Sequence, residues 1–178
     1  MCLVKLWNFN KMAKTKLRTT DWEHRLHILW AWRKCRQYSA NGNCDEGAIY
    51  RAVLDGCAIT VRALCLIIGI KYNFENQTIG DGQNRTQQLL ACCKTGKDLL
   101  EKLPIEDQRC LLEVLYLGNR AIAHPDDGGL DHKAGENEMT SAINTILKWL
   151  TERKSQWPEL EGVRKEFLET IATKSSAP

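Results

Sequence analysis

The stretch AVLDGCAITVRALCLIIGI, residues 52–70, carries the clearest structural signal in the chain. Read with the residues just before it, small or apolar side chains recur every three or four positions, at Ile49, Val53, Cys57, Thr60, Leu64 and Ile68. That recurrence marks one face of an α-helix, which turns once in about 3.6 residues. The spacing predicts a helix from about Glu46 to Ile70. A membrane span needs roughly 20 continuous apolar residues. This run falls short of that and is broken by Arg62, so a buried helix at the centre of a bundle is the expectation.

The same periodicity extends in both directions. Upstream, Trp22, Leu26, Leu29 and Trp30 follow a helical series, so a first helix is expected from Asp21 to about Tyr38, capped by Thr20 or Asp21. SANGNCDEG is a turn cluster between the two helices. Downstream, residues 71–83, with Gly80 and Gly82, read as a loop. A third helix is expected from about Thr86 to Leu103, stopped by Pro104, and a fourth from about Glu106 to Ala123. A glycine-rich acidic loop, Pro125 to Gly135, leads to a fifth helix over about Glu136 to Lys154. Met139, Ile143, Ile146, Leu147 and Leu150 form its apolar face. Pro158 suits the first turn of a sixth helix, fading by Lys174. No strand-like alternation competes, and no repeat is visible. The fold class is therefore all-α: a single bundle of five to six helices. It is expected to comprise a basic segment at 1–19, a helical bundle at 20–155, and a C-terminal helix with a frayed tail at 156–178.

At 178 residues the chain can bury a substantial core without staples. Its formal net charge is only +3, so no global nucleic-acid signature exists. The charge is nevertheless uneven. Nine lysines and arginines face Asp21 and Glu23 within residues 1–40, whereas residues 126–138 hold five acids against Lys133. Such asymmetry marks either a basic contact surface or an ordinary solvated face. Six tryptophans are present, and Trp7, Trp22, Trp30 and Trp32 fall in the basic region. Packing is the favoured role for Trp22 and Trp30. Trp32 lies off their stripe and is expected to be exposed. Eight cysteines occur without any C-x-x-C, and several sit in apolar helical runs, where a thiol packs as a small hydrophobe. Reduced thiols and a cytoplasmic location follow as expectations. The N-terminal stretch lacks the continuous apolar core of a signal peptide.

Chemistry concentrates on the fourth helix. Leu111, Leu115, Gly118 and Ile122 share one face, while Arg109, Glu113, Tyr116, Arg120 and His124 share the other. Asn119 lies between the two. Gly118, without a side chain, permits close approach by another helix. Pro125 disfavours helical geometry at His124, so the helix should end there. An imidazole can act as acid or base near neutral pH, and a guanidinium can bind a phosphate through several hydrogen bonds. Together they can promote attack of an RNA 2′-OH on its neighbouring phosphate without a metal. The bland alternative is also open: His124 is favoured by the helix dipole, and Arg120 pairs with Glu113 or a loop acid.

The run Leu117-Gly118-Asn119-Arg120-Ala121-Ile122-Ala123-His124-Pro125 resembles the Gly-Asn-x-x-x-x-His-Pro signature of bacterial helical domains in the HEPN superfamily. The architectural resemblance spans residues 20–155; the motif itself covers these nine residues. It implies a compact helical bundle, often dimeric, of the kind found in toxin–antitoxin and antiviral systems. It also implies a metal-independent endoribonuclease in which His124 is the acid/base and Arg120 the phosphate clamp. Asn119, Tyr116 and Arg109 would contact the substrate, and no cofactor is required. Here three residues separate Arg120 from His124, and Asn119 precedes the arginine rather than following it. Non-catalytic relatives with this fold act as nucleotide- or protein-binding and assembly modules. The expected partners are thus RNA, a second copy of the chain, and an antitoxin or defence protein; a membrane is not among them.

Other constellations are weaker. His124, Asp126, Asp127, Asp131 and His132 contain metal-ligand types but no recognised spacing. His24 and His27 lie three apart on the first helix, where an exposed basic face explains them. GDGQNRT lacks the lysine of a phosphate-binding loop, and no G-x-S-x-G occurs.

Overall fold

The computed structural model describes residues 18–36, 44–73, 78–81, 96–123, 134–152 and 154–171. Among these residues five α-helices follow one another: α1 (Thr19–Cys35), α2 (Cys44–Ile68), α3 (Gly96–Lys102), α4 (Ile105–Ala123) and α5 (Glu136–Glu152). Two short strands, β1 (Ile70–Asn73) and β2 (Thr78–Asp81), separate α2 from α3, and three 3-10 turns close the described chain. The architecture is an all-α bundle with one small appendage of sheet.

α2 is the central helix and packs against α1, α4 and α5. Cys57, Thr60, Leu64 and Ile68 of the expected stripe are buried, as are Ala58, Val61 and Cys65 beside them. Ile49, at the start of the stripe, is exposed instead. α1 begins at Thr19 rather than Asp21. Its cap is Asp21 working backward: the carboxylate accepts the Arg18 backbone N–H at 2.9 Å. This holds the Asp21 carboxyl below its usual range, with the Arg18 guanidinium adding to the effect. α5 starts in a related way, with Glu138 accepting the Gly135 N–H at 3.0 Å, one half of a capping box. Part of the acidic run at 126–138 therefore serves helix initiation.

Three expectations are corrected. The segment 71–83 is not all loop. Gly69 takes a φ of 94°, a conformation that costs glycine nothing, and ends α2 before Ile70. The chain then forms an antiparallel hairpin pairing Ile70 with Asp81 and Asn73 with Thr78. Ile70 and Tyr72 point inward, Lys71 and Asn73 outward. The second correction is the sixth helix, found as 3-10 turns at Lys154–Gln156, Pro158–Leu160 and Lys165–Phe167. Their side chains Trp157, Leu160, Val163, Phe167, Leu168 and Ile171 are buried at irregular intervals that no continuous helix would satisfy. Asn144 clamps this segment to α5 by donating to the Ile171 carbonyl at 2.8 Å and accepting the Ile171 N–H at 2.6 Å. The third is Trp32, fully buried against Tyr50, with its indole N–H donated to the Thr140 hydroxyl at 3.0 Å. α1 has neighbours on two sides, so its buried arc is wider than one stripe. Trp30 is the half-exposed one, lying over Phe167, on which His27 also stacks at 5.2 Å.

Candidate functional site

α4 positions the residues singled out by sequence. Its inner face carries Leu111, Val114, Leu115 and Gly118, all buried. At Gly118 the helix lies directly on α2: a Cβ there would stand 2.7 Å from the Ala58 carbonyl oxygen. This close seat fixes the C-terminal turns of α4 on the central helix. α4 remains helical through Ala123. Arg120 is thus in its last turn; its side chain, and all of His124, lie outside the described residues, as do the candidate metal ligands Asp126 to His132.

Tyr116 is half-buried, one turn before Arg120, its ring edge-on to Tyr72 of β1 with centroids 6.0 Å apart. The hairpin that sequence reasoning missed therefore supports the outer side of α4. Asn119 is buried rather than intermediate between faces, and its amide donates to the Leu115 carbonyl at 2.8 Å. Arg109 is not brought together with these groups. It precedes Arg120 by three turns, about 16 Å along the axis at 1.5 Å per residue. There its guanidinium grips Glu106 through two bonds, of 2.5 and 3.1 Å, and approaches Glu138 at 3.8 Å. The hydrogen bond from Arg109 holds the Glu106 carboxyl below its usual range, and the same bond pushes the arginine above its own.

A second feature lies near that other end of α4. A cavity of about 740 Å³ opens between α3, α4, α5 and the C-terminal segment. Leu99, Leu103 and Trp149 give it an apolar wall, and Lys102 and Lys148 bring positive charge to it. Asp107, which accepts the Ser141 hydroxyl at 2.8 Å, brings negative charge together with Glu106, Glu136 and Glu152. The Cys110 thiol also lines it, and burial raises that group above its ordinary range. No sequence motif marks this cavity, because its walls come from five separate segments, Arg36 at the end of α1 among them. Among the described residues no cluster of histidine, cysteine and carboxylate side chains is arranged to hold a metal. No described helix is long and apolar enough to cross a membrane.

No protein-family model matches the chain, and no curated protein or solved structure gives a match.

Proposed function

We propose that the chain is a HEPN-like, metal-independent endoribonuclease of a toxin–antitoxin or antiviral defence system, acting in the cytoplasm. The observation that supports this reading is the course of α4, helical through Ala123 and seated on α2 at Gly118. The arginine occupies the last turn of an anchored helix, and the histidine follows immediately. In the proposed reaction His124 removes the proton of an RNA 2′-OH. The freed oxygen attacks the neighbouring phosphorus, the bond to the 5′ oxygen breaks, and the imidazolium returns its proton to that leaving oxygen. A 2′,3′-cyclic phosphate and a 5′-hydroxyl result. Arg120 binds the phosphate and offsets the charge that develops on it. Tyr116 assists from the preceding turn, while the Asn119 side chain is held by the Leu115 carbonyl within the helix that presents the pair. Purified protein is expected to cleave RNA in EDTA, and His124→Ala to abolish the cleavage. Cleavage by neither would remove the ribonuclease reading, and equal cleavage by both would assign it to another site or a contaminant.

The cavity favours a second reading, a non-catalytic nucleotide- or protein-binding and assembly module. Lys102 and Lys148 suit a phosphate, and the apolar wall of Leu99, Leu103 and Trp149 suits a base. Calorimetric titration with nucleoside triphosphates tests it: saturable heat that Lys148→Glu removes supports the module, and no heat dismisses the nucleotide form.

A further inference from the structure

Among the described residues four large apolar side chains stand exposed, and three of them, Ile49 (46%), Ile59 (43%) and Leu66 (39%), share α2. They belong to one seam. Ile49, Gly56 and Ala63 are seven residues apart in turn, and so are Ala52, Ile59 and Leu66. Interleaved, the two sets give the three-four spacing with which one helix packs along another. The seam runs about 26 Å, nearly five turns. Gly56 is the telling member. Glycine inside a helix is unfavourable by about 1 kcal/mol relative to alanine. At Gly118 the chain's own packing demands it. At Gly56 it does not: among the described residues a Cβ would meet just the Ile28 side chain at 3.8 Å, an ordinary contact. The missing side chain leaves a hollow beside the exposed Ile59, into which a neighbouring helix can settle.

We infer that this face of α2 binds the same face of a second copy of the chain, antiparallel, about a twofold axis level with residues 57 and 58. In that register Ile49 meets Leu66 of the partner subunit, Ala52 meets Ala63 of the partner subunit, and Ile59 fills the hollow at Gly56 of the partner subunit. Large faces large at both ends, and the bulky central residue faces the glycine. The charges agree independently. Asp55 and Arg62 hold equivalent positions one residue before Gly56 and Ala63. The antiparallel register sets Asp55 beside Arg62 of the partner subunit, twice by symmetry, whereas a parallel pairing in register leaves these charges on opposite sides of the seam and stacks Gly56 on its own copy. Because Gly118 rests on Ala58, the α4 helices of both subunits come level with the axis.

Sedimentation velocity of the full chain tests this, and since it reads mass it stands apart from any RNA cleavage. A dimer is expected at micromolar concentration. Ile59→Asp should give a monomer with unchanged helical circular dichroism. Gly56→Ala should fold at least as well as wild type yet associate more weakly. Asp55→Arg alone should weaken the dimer about tenfold or more by opposing like charges, and adding Arg62→Asp should restore it. A monomeric wild type overturns the inference and leaves the face to another partner. A dimer indifferent to Ile59→Asp places association elsewhere, and failure of the charge swap to rescue rules out the antiparallel register.

Discussion

Gly118 meets the main chain of α2 with no side chain between: the Ala58 carbonyl oxygen and carbon would lie 2.7 and 3.0 Å from a Cβ added there. Backbone on a central helix has nowhere to retreat. Gly118→Ala should therefore destabilise the fold by about 1–3 kcal/mol through overpacking, despite alanine's better helix propensity. Urea unfolding measures it, and a gain in stability would mean that α2 and α4 part easily.

The clamp at Asn144 binds both backbone groups of Ile171. Asn144→Ala leaves that N–H and carbonyl without their partners, at a cost of about 1–3 kcal/mol each if they stay dry. The expected outcome is local: faster amide exchange through residues 165–171, with α2 still protected. Uniform loss of protection across the molecule would show that the segment does not open separately.

Trp32 and Thr140 tie α1 to α5 through one buried hydrogen bond. Trp32→Phe and Thr140→Val should each destabilise, the first more because it also leaves space. A double-mutant cycle should return a coupling of about 0.5–1.5 kcal/mol. Additivity would mean that the bond contributes nothing beyond packing.

Burial pushes the Cys57 thiol up to about 12 and raises Cys65 as well. The unfolded thiols ionise near 9, so above that pH the unfolded chain binds fewer protons than the folded one. The stability these thiols contribute is complete below about pH 9 and declines toward pH 12, by at most about 1.4 kcal/mol per pH unit for each. Unfolding curves at pH 8 and pH 10 should diverge less in a Cys57→Ala/Cys65→Ala variant than in wild type. Equal divergence in both would show that other groups carry the alkaline loss.

The chain announces its long helices and hides its short elements. α2 and α5 were legible because apolar residues recur over several turns, enough for the period to stand out. The hairpin has four residues per strand, and IKYN alternates only twice, too briefly to separate from loop. The C-terminal segment misled through Pro158, which starts a 3-10 turn as readily as an α-helix. Trp32 misled because a stripe predicts one buried face and α1 has two. Of the candidate site, the amphipathic α4 and the role of Gly118 were readable from spacing. The burial of Asn119 and the support of Tyr116 by Tyr72 were not, since each depends on what the rest of the chain places alongside.

The closing turns have a consequence for birth on the ribosome. Trp157 sits between Trp149 of α5 and Trp22 of α1, at centroid distances of 5.0 and 5.9 Å. Trp32 likewise waits for Thr140, 108 residues downstream. The first described helix therefore leaves the exit tunnel with two tryptophans whose partners are not yet translated. At about 5–20 residues per second the nascent chain carries that greasy surface for several seconds or more. Emergence of the closing turns, rather than of any single helix, is the moment at which α1 acquires its full shelter.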